Sequence, residues 1–229
     1  MGLLVTVLML PVLLGVMGCF EVPAPVGDPE KSRIDPALSG VWMGTTADFE
    51  GWMFVFEPFD KRTWLMRFVV LDEKEHDSDD DELADNDIGE DDESENPSYI
   101  KLLRDGKLEV KGTYLIKAWR KRIGGESFIT LEFRGMLSEE SAMNPYTWWV
   151  MKVNHVDDDH FSLRFIDNEF AEIEDEMTRS QMERVVRRNL KNAELYSGDE
   201  PIIFERVPQS DYDILSEIFT DAGIAASFE

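Results

Sequence analysis

The amino-acid sequence predicts a mainly β fold, in which an antiparallel meander forms a barrel or a strongly curled sheet and two C-terminal helices follow. Short runs rich in aromatic and β-branched residues recur between residues 40 and 167, separated by turn residues. Two of these runs place apolar residues on one face with a period of two: Ile129, Leu131 and Phe133, and then Phe161, Leu163 and Phe165. About eight such strands are enough to close a barrel around one dry face.

Turn signals separate the predicted strands. We expect strands near residues 40–47, 52–57, 62–71, 99–104, 107–119, 126–135, 146–154 and 160–167. Asp105 and Gly106 supply the positive φ that a two-residue hairpin requires. Three more reversals are expected at residues 58–61, 124–125 and 157–159, which are rich in Pro, Gly and Asp.

The chain after the meander has the pattern of two helices around a short strand. Ser180 and Glu183 have the spacing of a capping box, and apolar residues recur behind them at helical spacing: Met182, Val185, Val186, Leu190 and Ala193. A short strand is expected over residues 202–207. A last helix opens near Ser210 and would occupy most of residues 208–229.

The N-terminus carries a secretion pattern. An apolar run over residues 3–16 is too short to span a bilayer as a permanent helix, but it suits the apolar region of a signal peptide. It ends in Val16-Met17-Gly18-Cys19, which holds the single cysteine of the chain. This stretch resembles the lipobox of bacterial lipoproteins. The alternative is a short buried apolar helix with a core cysteine.

The lipoprotein resemblance implies a domain organisation and a location. Residues 1–18 would be a signal peptide, and Cys19 would become the lipidated first residue, with acyl chains such as palmitate inserted in the membrane. Phe20 rather than Asp after the cysteine implies the outer membrane, with the domain on the periplasmic side. Residues 19–37 contain Pro23, Pro25, Pro29 and Pro36, which is typical of an extended tether.

Charge and cysteine content exclude several classes of function. The formal net charge is −25, so binding to nucleic acid would add counterions rather than release them. One cysteine allows neither an intrachain disulfide nor a thiolate metal site. No nucleophile elbow, phosphate-binding glycine loop or zinc-protease motif occurs, so we expect neither an enzyme nor a cofactor.

The first predicted strand contains a second family signature. Gly40-Val41-Trp42 resembles the Gly-x-Trp that opens lipocalin barrels, and the expected order of strands, helix and short strand over residues 38–207 is similar. The resemblance implies that Trp42 plugs the closed end of a barrel. A small apolar ligand would then occupy an interior lined by aromatic side chains: Trp64, Phe68, Trp119 or Trp148.

An acidic insertion interrupts the meander over residues 72–98. Residues 72–95 hold 15 Asp or Glu against one Lys, Lys74, a net charge of −14. Such a segment repels itself and buries little, so the sequence predicts disorder without a counterion. Three interpretations stay open: a solvated insertion, a weak Ca²⁺ site, or docking to a basic partner or to basic surfaces of this chain.

A second candidate metal site lies at a turn. His155 and His160 flank three aspartates, so Zn²⁺ or Cu²⁺ could bind His155, Asp158 and His160 if the imidazoles converge. The alternative is an ordinary turn, in which aspartates hydrogen-bond their own backbone.

Two hypotheses for the function follow. The first is an envelope lipoprotein that carries a small apolar ligand. The second is an envelope protein-interaction or assembly module that uses the acidic insertion.

Overall fold

The structure, a computed structural model, describes residues 20–45, 51–73, 105–136, 147–198 and 200–221. Its strands are β1 (Glu21–Val22), β2 (Gly40–Thr45), β3 (Gly51–Pro58), β4 (Thr63–Glu73), β5 (Leu108–Ile123), β6 (Glu126–Met136), β7 (Trp148–His155), β8 (His160–Phe165) and β9 (Ile202–Arg206). The helices are α1 (Arg179–Arg188) and α2 (Tyr212–Asp221).

Strands β2 to β9 form a closed eight-stranded antiparallel barrel. Each strand from β2 to β8 pairs with the next along the chain. Strand β9 lies between β8 and β2 and closes the ring. The predicted fold class, a mainly β meander with two C-terminal helices, is confirmed.

The eighth barrel strand is not the one expected. Seven predicted strands correspond to β2–β8, whereas the predicted strand at 99–104 lies outside the described residues. The short strand expected near residues 202–207 is β9 and belongs to the barrel wall. Helix α1 therefore lies between the seventh and eighth barrel strands along the chain, and does not follow a complete barrel as the lipocalin resemblance implied.

The alternation of side chains divides the barrel into an inside and an outside. The interior cluster is dominated by aromatic rings, among them Trp42, Trp52, Phe54, Phe56, Phe68, Phe133, Trp149, Phe161, Phe165 and Phe204. Outside, one apolar cluster lies under α1 and the other under α2. A strand with an apolar core on both faces reads as a continuous apolar run, as in the fully buried stretch Trp52–Phe56 of β3.

The predicted tether is part of the folded body. Residues 20–38, here called the N-terminal strap, run along the outside of the barrel with Val22, Ala24 and Val26 buried. Phe20 and Leu38, at the two ends of the strap, belong to the interior cluster. The prolines do not prevent packing: Pro29 and Pro36 each begin a short 3-10 helix, Pro29–Lys31 and Pro36–Leu38. The period-two spacing of Val22, Ala24 and Val26 places three apolar side chains on one face.

Helix α1 has a different cap from the predicted one. Thr178 is the N-cap and Gln181 completes the capping box, with Thr178 N–H donating to Gln181 Oε1 at 2.8 Å. Glu183 instead accepts a hydrogen bond from Gly27 N–H of the strap at 3.0 Å. The predicted apolar face is confirmed for Met182, Val185 and Val186, which are buried.

The two ends of the barrel differ in how they are connected. At one end, here called the turn end, short turns join β3 to β4, β5 to β6 and β7 to β8. At the other, here called the loop end, longer connections cover residues 74–107, 137–147 and 166–201. Strand β1 pairs with the first residues of β7, Trp148 and Trp149, which places Phe20 at the loop end.

Candidate functional site

Two of the four aromatic residues predicted to line a cavity face the barrel interior. Trp64 and Phe68 lie on β4 with fully buried side chains. The ring centroid of Phe68 lies 5.2 Å from that of Trp52 and 5.6 Å from that of Tyr114. These separations are those of rings in direct contact, so the two side chains are part of a packed core.

The other two predicted residues lie outside the barrel wall. Trp64 pairs with Ala118, whose side chain points inward, so the next residue, Trp119, points outward. Its indole N–H donates to Val26 O at 2.9 Å beneath the N-terminal strap. Trp148 packs against the apolar cluster under α1. The four predicted residues therefore do not converge on one site.

Aromatic side chains fill the described part of the interior. Phe54 and Phe204 stack with centroids 4.6 Å apart, and Phe161 stacks on Phe204 at 5.1 Å. A recess of about 80 Å³ opens at the loop end, lined by Phe20, Leu163, Arg164, Phe165, Ser197, Gly198, Glu200 and Ile202. Pockets for drug-sized ligands are usually about 300–1,000 Å³, so this recess could hold only a fragment of one.

Two indole groups inside the barrel have no hydrogen-bond partner among the described residues. They are Trp64 Nε1 and Trp149 Nε1, and both side chains are almost wholly buried. Trp149 lies at the loop end between Phe133 and Phe20, with ring centroids at 4.6 and 5.7 Å. Leaving a buried donor without a partner lowers the free energy of unfolding by about 1–3 kcal/mol. The two indole N–H groups are therefore unfavourable features of an otherwise apolar interior.

The turn end is sealed by a residue that sequence reasoning missed. The Arg206 guanidinium carbon lies 4.0 Å from the centroid of the Trp42 ring. Its Nη1 and Nη2 donate to Ser39 O at 2.9 Å and to Ala37 O at 2.7 Å. The Trp42 indole N–H in turn donates to Leu38 O at 2.9 Å. Only the pairing of β9 with β2 brings Arg206 opposite Trp42, so no local pattern could have indicated this contact.

The two histidines proposed for a metal site have different partners. His155 Nε2 lies 3.8 Å from Asp35 Oδ2 of the strap, whereas His160 Nδ1 lies 2.8 Å from Asp157 Oδ1. The backbone carbonyl of Asp158 accepts from Arg206 Nε at 3.2 Å. The hydrogen bond from His160 holds the pKa of Asp157 below its usual range. Within the described ranges, no group of three or more His, Cys, Asp or Glu side chains is placed to hold a metal ion.

The lipidation and acidic features lie largely outside the described part of the chain. Cys19 immediately precedes the first described residue, and the side chains of the acidic insertion and its proposed Ca²⁺ ligands are not described. Their attachment points are described, however. Strand β4 extends to Glu73, so the first two residues predicted for the insertion, Asp72 and Glu73, belong to the barrel wall. The rest of the insertion follows β4 and precedes β5 at the loop end, where Phe20 also lies.

Several basic residues that could receive an acidic segment already have partners. Arg120 forms an ion pair with Asp35, and Arg188 with Glu172. Hydrogen bonds from Arg188 and Asn189 lower the pKa of Glu172. Lys121 Nζ lies 3.6 Å from Glu183 Oε2. These pairs connect the strap, the barrel and the segments beside α1.

No helix among the described residues is both long and apolar enough to cross a membrane. Comparison with protein-family models, with curated proteins and with solved structures finds no match for this chain.

Proposed function

We propose that this protein is an outer-membrane lipoprotein, anchored through Cys19, whose barrel acts by binding another envelope protein and not by catalysis. The observation that carries this proposal is the contrast between a barrel interior packed with aromatic rings and the long connections at the loop end. A filled interior favours a scaffold over a container.

The acidic insertion supplies the chemistry of the contact. It concentrates more than half of the formal net charge, −14 of −25, between two strands of a rigid barrel. A complementary partner surface would be basic, and clustered charges of this kind accelerate association while making it sensitive to salt.

The lipocalin-like assignment belongs to the same proposal. The eight-stranded barrel and the burial of Trp42 at the turn end support it. The position of α1 before the last barrel strand departs from the implied order. Transport of a small apolar ligand is the second candidate. It is supported by the recess beside Phe20 and by the indole N–H of Trp149, which has no partner among the described residues.

Crosslinking in intact cells tests the interaction. In one variant every Asp and Glu between residues 75 and 95 is changed to Asn or Gln, which removes charge at constant length. In the control the same residues are kept in shuffled order. We expect a specific crosslinked partner with the native and shuffled chains, and a loss of at least tenfold with the neutral chain.

The same preparations test the ligand-carrier candidate. Mass spectrometry of an organic extract of the purified protein would reveal a stoichiometric apolar molecule. Such a molecule, together with unchanged crosslinking of the neutral variant, would overturn the interaction proposal and favour the carrier.

A further inference from the structure

We propose that the loop end of the barrel rests directly on the phospholipid headgroups of the membrane, because the lipid-bearing residue joins the folded body without a spacer. The inference rests on the acylation of Cys19 in the proposed function. It adds an orientation and a contact surface that anchoring alone does not supply.

The first described residue after Cys19 is already packed. Phe20 is 7% exposed, and its ring stacks on Phe165 with centroids 4.3 Å apart. Glu21 and Val22 then pair with Trp149 and Trp148 as strand β1. Burial raises the pKa of Glu21 above its usual range.

The rest of the strap is held as firmly. Val26 N–H donates to Thr130 Oγ1 at 3.2 Å, and Val26 O accepts from the hydroxyl of Thr130 at 2.8 Å. Ser32 Oγ donates to Arg120 O at 2.8 Å. Because these bonds hold the strap on the barrel, the strap cannot act as a flexible linker between the membrane and the barrel.

The absence of a spacer sets the distance between lipid and barrel. Cys19 Cα is one peptide unit, about 3.8 Å, from the Cα of buried Phe20. A flexible ten-residue linker would have a root-mean-square end-to-end distance of about 16–19 Å. With acyl chains in the hydrocarbon layer, the loop end is thus confined to the headgroup region.

The contact surface follows from the position of Phe20. The recess beside it has exposed or half-buried rim residues: Ser197 and Glu200 on the connection before β9, and Ile202 at the start of β9. The turn end faces away: strand β3 has 8 residues and is about 26 Å long, and the usual barrel tilt of about 40° leaves about 20 Å between the two ends.

The acyl chains can hold this arrangement against charge repulsion. Burial contributes about 0.8 kcal/mol per methylene, so each long chain supplies on the order of 10 kcal/mol. A surface charge near anionic lipid is worth about 1 kcal/mol and is screened within a Debye length. The acidic insertion also departs from the loop end, so its basic partner would lie at the level of the membrane surface.

Fluorescence quenching tests the orientation with the acylated full-length mature protein. Glu200→Cys places a thiol at the loop end and Lys61→Cys places one at the turn end, both at exposed positions. Acylation blocks the sulfur of Cys19, so a thiol-reactive fluorophore labels only the new cysteine. The proteins are inserted in phosphatidylcholine vesicles that contain nitroxide-headgroup lipid.

We expect at least threefold stronger quenching at position 200 than at position 61. Insertion of ten Gly and Ser residues between Cys19 and Phe20 keeps the anchor but restores slack, and should bring the two positions within a factor of 1.5. Equal quenching without the insertion, or stronger quenching at position 61, overturns the orientation.

The mass of the N-terminal peptide distinguishes a failure of the proposed orientation from a failure of the proposed anchoring. An acylated Cys19 with equal quenching at both positions overturns the orientation alone. An unmodified Cys19 in protein purified from its native envelope overturns the anchoring in the proposed function, and the orientation with it.

Discussion

The turn end and the loop end of the barrel are built from the same strands but close in opposite ways. At the turn end, residues near one another in sequence close the hairpin turns: Asp60 Oδ1 accepts from Thr63 N–H at 2.8 Å, and Val156 N–H donates to His160 O at 3.0 Å. Arg206 then covers Trp42 from the distant strand β9. At the loop end, the plug is Phe20, which reaches Phe165 from a distant part of the chain. Local closure depends on turn chemistry, whereas distant closure depends on packing.

This difference assigns separate tasks to the two ends. The turn end holds the barrel together through Arg206 and Trp42, so changes there should act on stability. The loop end presents the long connections and Phe20, the first described residue, so exposed changes there should act on the proposed binding and leave the barrel intact.

The largest expected effect is at the turn end. Arg206→Ala removes the contact with Trp42 and the hydrogen bonds to Ser39 O and Ala37 O, which should lower the free energy of unfolding by about 3 kcal/mol. The matched loop-end change, Glu200→Ala, should stay within about 0.5 kcal/mol. Urea denaturation measures both, and equal losses would contradict the division between the ends.

Tyr196 gives a pH-dependent test in the connection from the loop end. Burial, reinforced by Glu126, raises its pKa to about 12 against the partial compensation of Arg164. Because the folded pKa lies above the unfolded value near 10, Tyr196 contributes its full stability below pH 10 and loses it as pH rises toward 12. The free energy of unfolding should fall by on the order of 2 kcal/mol across that window.

The variant Tyr196→Phe isolates this titration. It removes the hydroxyl that donates to Leu190 O at 3.1 Å, so some stability should be lost at every pH. Its unfolding free energy should nevertheless fall less steeply between pH 10 and 12 than that of the native chain. Identical slopes would show that another group is responsible.

Two threonines test whether the strap is bonded to the barrel as tightly as the geometry indicates. Thr130→Val removes both hydrogen bonds to Val26 and should cost about 1–2 kcal/mol. Thr113 is equally buried, but its hydroxyl has no partner among the described residues. Thr113→Val should therefore be neutral or stabilise by about 1 kcal/mol, because an unpaired polar atom is replaced by a methyl group.

Thermal unfolding of the two valine variants provides the comparison. Opposite signs, with Thr130→Val the less stable, are expected. A strap that merely lies on the surface would make the two changes indistinguishable.

The smallest expected effect is that of the acidic insertion on stability. Neutralising the acids between residues 75 and 95 should change the free energy of unfolding by less than about 0.5 kcal/mol at 0.15 M salt, because surface charges are screened there. A loss of several kcal/mol would mean that the insertion supports the barrel and is not an appended binding element.

Much of the fold could be predicted because it depends on patterns among residues that are neighbours in the sequence. The turns near residues 58–61, 124–125 and 157–159 lie where expected, and Gly124 and Gly125 have φ of 61° and 96°. A Cβ at residue 124 would also approach Leu190 Cδ1 to 2.3 Å, so the Leu190 side chain would have to shift. Most ends of the seven strands lie within two residues of the predicted ones, whereas β5 extends four residues past its predicted end, to Ile123.

The candidate site was less predictable, because it depends on which face each residue occupies. Trp64 and Trp119 both lie in predicted strands rich in aromatic residues. Trp64 nevertheless points into the barrel, whereas Trp119 points outward beneath the strap. An outer apolar cluster makes both faces of the strands apolar, so alternation no longer distinguishes them. The capping residue of α1 was misplaced by two positions, since Thr178 competes with Ser180 in the same local pattern.

By itself the sequence determined most of the strand positions, the tight turns and the concentration of negative charge, since each of these depends only on neighbouring residues. Only the tertiary structure decided that β9 closes the ring, that the aromatic rings fill it, and that the proline-rich strap ends in the buried ring of Phe20. These features are contacts between residues distant in sequence. They form because burial of apolar side chains is favourable, and the closed barrel determines where those side chains can be buried.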